Sequence, residues 1–268
     1  MIPNILSIAG SDPSGGAGIQ ADLKAISANG GYGMAAVTAL TAQNTRGVQA
    51  VTLVDPGMVM AQVAAVRADI RIDAVKIGML GSAAIVEAVA DALDGLSAPV
   101  VLDPVMVAKG GDRLLAPEAV AALRERLLPM ATVITPNLPE AADLLGLDAA
   151  ETRAEMEAQA QALLECGSGA VLLKGGHLDG GESPDLLCDA SGAQWIEGPR
   201  HATRNTHGTG CTLSSALATR IGRGLPLPEA VAGAKSYIAA AIARSHDLSV
   251  GAGHGPVHHF HAFHGEIA

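Results

Sequence analysis

Residues 205–211 read Asn205-Thr206-His207-Gly208-Thr209-Gly210-Cys211 and run directly into the small-residue stretch Thr212-Leu213-Ser214-Ser215-Ala216-Leu217-Ala218. Glycines ahead of a helix let the backbone approach a ligand closely, and the first helical turn offers N–H groups that have no intrahelical partner. Those groups lie at the positive end of the helix dipole, which suits a phosphate. Cys211 adds an ionisable side chain at the same place, and a helix N-terminus lowers a thiol's pKa. An anion hole built by Gly208, Thr209, Gly210 and Cys211, with a proton acceptor beside it, is what phosphoryl transfer to an alcohol requires. Positioning and electrostatics would supply most of the acceleration, because the phosphoryl transition state is loose. The competing reading makes Cys211 a small buried residue at a helix start.

Other segments carry chemistry of the same kind. The loop from Gly10 to Gly18 holds Asp12, Pro13 and four glycines counting both ends, but it lacks the Gly-Lys-Ser/Thr of a phosphate-binding P-loop and does not fit GxGxxG. It reads either as a ligand loop or as a flexible connection. Asp22 lies one turn beyond Gly18, which would let its carboxylate face the same cleft. Asn137-x-x-Glu140 is either a capping box or an amide and a carboxylate reaching Mg²⁺ near ATP phosphates. Lys174 leaves a strand tip ahead of two glycines, where it is either solvated or placed to neutralise phosphate. Asp103, also at a strand end, could bear on the metal. The C-terminal histidines His254, His258, His259, His261 and His264 have irregular spacing and no cysteine or carboxylate in a ligand pattern, which argues against a metal site.

These residues need a scaffold, and short β-branched runs alternating with helical patterns describe one. Strands are expected at residues 5–9, 35–40, 74–77, 100–102, 133–135 and 170–173. Helices follow with buried stripes such as Ile19/Leu23/Ile26, Val59/Val63/Val66 and Ile85/Val89/Leu93. Asp55-Pro56 and Ser82 read as helix starts; further helices carry Val120/Leu123/Leu127, Met156/Ala160/Leu163/Leu164 and, opening at Pro228, Val231/Lys235/Ile238/Ile242. Residues 186–188 and 194–196 look like an antiparallel hairpin at the sheet edge. The order implies a mostly parallel sheet with helices on both faces. Ligands then bind outside the carboxyl ends of the strands, and each glycine- or proline-rich motif above follows a strand.

Bulk properties agree. Of 268 residues, 49% are hydrophobic but only 2% aromatic, so Ala, Val, Leu and Ile must build the core. The length fits one large α/β domain spanning 1–268, with no linker or repeat. A formal charge of −10 without a basic stripe argues against nucleic acid or an anionic membrane as partner. Cys166, Cys188 and Cys211 lack CxxC spacing, which fits a reducing compartment. No apolar run reaches about 18 residues and the first residues carry no charged n-region, so a soluble cytoplasmic chain is expected.

With these residues in view, the chain resembles the ribokinase-like superfamily and, within it, the bacterial hydroxymethylpyrimidine/phosphomethylpyrimidine kinases of thiamine biosynthesis. The resemblance rests on AGSDPSGGAGIQADLK (9–24), TAQNTRGV (41–48), KIGML (76–80), DPVM (103–106), TPNLPEA (135–141), LLKGGH (172–177), NTHGTGC (205–211) and GPVHHFH (255–261), in order along nearly the whole chain. It implies a three-layer α/β/α sandwich, a homodimer, and ATP-Mg²⁺ as phosphoryl donor. The implied acceptor is the hydroxymethyl oxygen of 4-amino-5-hydroxymethyl-2-methylpyrimidine and then the resulting monophosphate. Gln43 matches the residue that bonds the aminopyrimidine, as an amide that both donates and accepts can. Gly10, Asp22, Met79 and Val105 match the rest of that pocket. Asn137, Glu140 and Lys174 match the Mg²⁺/ATP-phosphate residues, and residues 208–211 the anion hole and base.

Many relatives, pyridoxal kinases included, carry Asp where this chain has Cys211. Because some relatives with Cys also phosphorylate pyridoxine-type vitamins, a pyridoxine or pyridoxal kinase is the alternative. A binding protein that merely retains the fold would be expected to have lost Glu140, Lys174 or Cys211. A Rossmann dehydrogenase lacks its GxGxxG here.

Overall fold

The computed structural model describes residues 1–106 and 115–263. Among these, ten strands and eight α-helices alternate: β1 (Asn4–Ala9), α1 (Gly18–Ala28), β2 (Tyr32–Val37), β3 (Ala39–Asn44), β4 (Gly47–Leu53), α2 (Pro56–Asp69), β5 (Ala74–Ile77), α3 (Ala83–Leu93), β6 (Val100–Leu102), α4 (Pro117–Ala122), β7 (Val133–Ile134), α5 (Leu138–Leu145), α6 (Arg153–Glu165), β8 (Ala170–Lys174), β9 (Asp185–Asp189), β10 (Gly192–Ile196), α7 (Thr209–Gly222) and α8 (Leu227–Ala243). The main sheet has the order β10-β9-β8-β7-β6-β5-β1-β2. From β2 to β8 neighbours run parallel; β9 and β10 form the expected antiparallel edge hairpin.

Local chemistry explains the element starts. Asp55 accepts a hydrogen bond from the Met58 N–H with Pro56 at the first helical position, and Ser82 accepts from the Ile85 N–H; each satisfies an orphan donor of the first turn. The sheet separates two apolar layers. Leu6, Ile8, Val75, Ile77 and Leu102 pack against the α2–α6 side, while Ile5, Ala74, Val101 and Val133 pack against α7 and α8 with Ile26 of α1. The result is a three-layer α/β/α sandwich whose core is aliphatic, as the shortage of aromatics requires.

The strand expected at 35–40 is two strands. Thr38, fully buried, breaks it: its N–H donates to the Ala9 carbonyl at 3.0 Å and its hydroxyl to the Met79 carbonyl at 2.7 Å. Beyond it the chain leaves the main sheet and pairs β3 with β4 as a separate antiparallel hairpin, with a register shift between Ala42 and Gln43. No glycine or proline marks that departure, so alternation alone reads straight through it. The hairpin carries Gln43 over the carboxyl edge of the main sheet. That edge includes the point between β1 and β5 where strand order reverses, where open α/β sheets leave a crevice.

Candidate active site

A cleft of about 960 Å³ opens along this edge. Gly10, Met79, Asp103, Val105, Asn137 and Lys174 reach it from the loops and tips after β1, β5, β6, β7 and β8. Gln43 comes from β3, Glu140 from α5, and residues 208–211 from the start of α7. One predicted residue is absent from its walls. Asp22 is fully buried beneath the cleft: its Oδ2 accepts from Ser7 Oγ at 2.7 Å and Lys76 Nζ at 3.0 Å, and its Oδ1 from Ser215 Oγ at 2.8 Å. The turn of α1 carries this carboxylate to the sheet, so Asp22 supports the site from below and does not contact its contents.

Gly208 sits at φ 74°, a left-handed conformation in which a Cβ would overlap the Gly16 carbonyl oxygen. Only glycine serves there. The first regular α7 bond runs from the Thr212 N–H to the Gly208 carbonyl at 2.9 Å, so the N–H groups of Gly210 and Cys211 precede the ladder and are oriented as at any helix start. Gly210 has no left-handed backbone. A Cβ on it would stand 3.4 Å from both Asp103 Oδ2 and Lys174 Nζ, so its bare Cα faces the charged group of the cleft.

That group combines two acids and one cation. Lys174 Nζ lies 3.0 Å from Asp103 Oδ1 and 3.9 Å from Glu140 Oε2. Burial pushes Asp103 up, but the Lys174 and Lys76 cations, with bonds from Lys174 and Thr135, bring it below the ordinary carboxylate range. Burial pushes Glu140 up to about 7; Lys174 opposes this only in part, and Asp103 adds to it. Both readings of Asn137-x-x-Glu140 hold together. The capping box is complete, with Asn137 Oδ1 accepting from the Glu140 N–H and Glu140 Oε2 from the Asn137 N–H, each at 2.8 Å, and Glu140 still lines the cleft. A carboxylate that burial raises to about 7 fits a hard divalent cation, whose charge would favour its ionised form. Glu140 would hold Mg²⁺ together with phosphate oxygens and water, which usually complete its shell.

The expectation of a lowered thiol pKa at Cys211 does not hold. Cys211 is half-buried, and burial pushes its thiol up to about 11; Lys76 pulls it down, Asp22 and Asp103 push it up again, and the Gly18 N–H gives a small opposing bond. Desolvation outweighs the helix terminus. Lys76 is the surprise here. It is fully buried in β5 and paired with Asp22, and its pKa is raised because the neighbouring carboxylates outweigh its burial. A lysine amid Ala74, Val75 and Ile77 is the signal that a buried acid must exist nearby.

Sequence reasoning also missed what joins the two glycine loops. Asp12 Oδ2 lies 2.8 Å from His207 Nε2, so the first loop meets the residue ahead of Gly208. Elsewhere in the cleft, Met79 Sδ would be 2.9 Å from a Cβ at Gly10, and the Gly10 N–H donates to the Met79 carbonyl at 3.2 Å. The C-terminal histidines serve packing. The His258 N–H donates to the Ala241 carbonyl, His259 Nε2 is 3.0 Å from Thr212 Oγ1, and the His261 ring packs at a 39° tilt against Tyr237. Burial pushes His259 down to about 3, so it is neutral. His264 lies outside the described residues.

Comparison with known proteins points to one family. A family model described as phosphomethylpyrimidine kinase matches residues 12–258. The hydroxymethylpyrimidine/phosphomethylpyrimidine kinase of Escherichia coli (strain K12) is 57% identical over 261 residues, covering 97% of this chain and 98% of that protein. Its namesake from Rhizobium meliloti (strain 1021) is 54% identical, covering 96% of each. Among solved structures, the ADP complex of Bacillus subtilis pyridoxal kinase has a TM-score of 0.88 at 38% identity, over 97% of this chain and 98% of that one. Phosphomethylpyrimidine kinase from Clostridium difficile 630 has a TM-score of 0.78 at 43% identity, over 88% and 97%.

Proposed function

The chain belongs to the phosphomethylpyrimidine kinase family, and from that premise we propose that it transfers the γ-phosphoryl group of ATP to the hydroxymethyl oxygen of 4-amino-5-hydroxymethyl-2-methylpyrimidine. The same site then phosphorylates the monophosphate to the pyrophosphate, for thiamine biosynthesis. The observation that carries this reading is that Gln43, Lys174 and residues 208–211 share one cleft. In each step the hydroxyl or phosphate oxygen of the acceptor bonds to phosphorus as the bond to the ADP oxygen breaks.

Gln43 holds the aminopyrimidine edge through its amide, with Met79 and Val105 against the ring and Gly10 leaving room for it. Asn137, Lys174 and Thr209 hold the nucleotide phosphates, and the N–H groups of Gly210 and Cys211 meet the oxygens of the migrating group, where preorganised donors act without reorganisation. Mg²⁺, when bound near Glu140 and Asp103, neutralises phosphate charge. Lys174 is already shared between Asp103 and Glu140, so phosphate must compete for it with two fixed carboxylates. In the first step Cys211, as its minor thiolate, takes the proton of the acceptor hydroxyl, since its thiol dominates at neutral pH; the ionised phosphate oxygen of the second step needs no base.

The second reading is a pyridoxal-type kinase, favoured by the fit to solved pyridoxal kinases. Incubation of the chain with ATP-Mg²⁺, the pyrimidine alcohol and pyridoxine in one vessel, followed by mass spectrometry, ranks the two. Pyrimidine mono- and diphosphate should dominate; predominant pyridoxine phosphate would reverse the order, and no phosphorylated product from folded protein would end both. The same reading takes residues 1–268 as one kinase domain in the cytoplasm. It includes a homodimer, supported by exposed Leu40, Val51, Leu53 and Met58 on the hairpin and α2. Light scattering at micromolar concentration tests that state. Among the described residues no helix is long and apolar enough to cross a membrane.

A further inference from the structure

Three side chains meet where the first loop, the hairpin and the α7 loop converge, and their donors and acceptors leave only one consistent arrangement. Asp12, 1% exposed, accepts from the Ser14 N–H and hydroxyl at 2.8 and 2.7 Å, from the Gly16 N–H at 3.1 Å and from the Ala17 N–H at 2.8 Å. Burial pushes its carboxyl up, but His207 and Ser14 bring it down to about 2. An ionised carboxylate only accepts, so the His207 Nε2 atom 2.8 Å from Asp12 Oδ2 must carry a proton. Gln43 Nε2 lies 3.5 Å from that same ring nitrogen, which sets two donors face to face.

The other end of the amide has the complementary mismatch. Thr41 Oγ1 is 3.0 Å from the Ser11 carbonyl oxygen and 3.3 Å from Gln43 Oε1. A carbonyl cannot donate and a hydroxyl has one proton, so that proton belongs to Ser11 and Thr41 faces Gln43 as an acceptor. Turning the amide by half a revolution removes both mismatches: its nitrogen then donates to Thr41, and its oxygen, in place of a second donor, faces the His207 Nε2–H, whose proton stays with Asp12 at 2.8 Å. Amide oxygen and nitrogen have nearly the same shape, so hydrogen-bond partners alone decide between the two orientations.

We infer that Asp12 and His207 form a positioning dyad that fixes which way the Gln43 amide faces, and thereby which way round an aminopyrimidine must enter. This rests on the reading of Gln43 given under Proposed function. The exocyclic amino group then lies on the His207 side, donating to the Gln43 oxygen, and the adjacent ring nitrogen lies on the Thr41 side, accepting the remaining Gln43 N–H. A ring without that adjacent donor and acceptor, such as pyridoxine, gains nothing from the fixed orientation. The dyad is therefore a specificity device, and its residues act through Gln43.

The test is steady-state kinetics at saturating ATP-Mg²⁺ with the pyrimidine alcohol and with pyridoxine, on His207→Ala, His207→Gln and Thr41→Val. His207→Ala should raise KM for the pyrimidine about tenfold and reduce the pyrimidine-to-pyridoxine ratio of kcat/KM by a similar factor, with KM for ATP moving less than about twofold. His207→Gln, which keeps an N–H able to reach Asp12, should recover most of the loss. Thr41→Val removes the other orienting group and should move KM and the ratio in the same direction, so it decides the matter should His207→Ala fail to fold. A fall in kcat with pyrimidine KM and ratio unchanged, or no effect of Thr41→Val, would overturn the inference. If the unsubstituted chain turns over no pyrimidine, the functional reading itself fails and this inference falls with it.

Discussion

Gly210→Ala separates catalysis from stability at the helix start. The backbone at Gly210 is not left-handed, and the added Cβ would meet its nearest neighbours, Asp103 Oδ2 and Lys174 Nζ, at 3.4 Å, with Asp103 Oδ1 at 3.8 Å. These are ordinary contacts, so the fold accepts the methyl. Alanine is a better helix former than glycine by about 0.5–1 kcal/mol. At this chain length that raises Tm by about 1–4 °C. The methyl nevertheless projects to the charged pair, into space that a phosphoryl oxygen must occupy to come within about 3 Å of the first-turn N–H groups. Loss of one such preorganised donor reduces kcat by about 10²–10³. A coupled assay of ADP release and a thermal melt on the same preparation read both quantities. Undiminished Tm with kcat reduced at least thirtyfold is the expected result; kcat within about threefold of the unsubstituted chain would remove the anion hole from the account.

Gly208→Ala should behave oppositely, because its Cβ would overlap the Gly16 carbonyl at φ 74°. It should lower Tm as well as activity, and an unchanged melt would refute the steric argument. With the Cys211 thiol at about 11, a thiolate acceptor makes log kcat rise by nearly one per pH unit between about pH 7 and 9. Cys211→Ala should flatten that slope; a flat profile in the unsubstituted chain would leave Cys211 a packing role. Because burial holds the Glu140 carboxyl at about 7, the stability from its neutral form is complete below the ordinary carboxylate range and is lost as pH rises through 7. Glu140→Gln can keep the cap, so in metal-free buffer it should match the unsubstituted chain near pH 4 and exceed it by about 1–3 kcal/mol at pH 8. Equal urea stability at both pH values would contradict this. Lys76→Met leaves the Asp22 carboxylate buried without its cation and should cost about 3–5 kcal/mol, which a loss under 1 kcal/mol in urea unfolding would refute.

Features set by neighbours in the chain were legible in the sequence. Asp55 and Ser82 cap their helices as their residue types require, and Asn137 and Glu140 close the box that their spacing allows. Residues 208–211 form the helix start that their glycines and small residues describe. What failed depends on partners distant in sequence. Thr38 ends β2 because backbone groups at Ala9 and Met79 take its polar atoms, and nothing near Thr38 announces them. Asp22 follows the glycine loop closely enough to suggest the cleft, yet Lys76, 54 residues away, claims it. The helix terminus at Cys211 is a local feature, whereas the burial that outweighs it comes with the packing of α7 against elements distant in sequence, α1, β1, β5 and β6 among them. A lysine within an apolar strand and an aspartate on an apolar helix face were, together, a readable sign of that buried pair.

The central claim is that backbone amides at the start of α7 receive the migrating phosphoryl group within reach of a substrate held by Gln43. A crystal structure with ADP, Mg²⁺, aluminium fluoride and the pyrimidine alcohol tests it most directly. The account predicts fluoride ligands about 2.7–3.1 Å from the Gly210 and Cys211 nitrogens, with the acceptor oxygen in line and the aminopyrimidine edge on the Gln43 amide. A planar fluoride bound elsewhere in the cleft, with residues 208–211 facing only solvent, would contradict it.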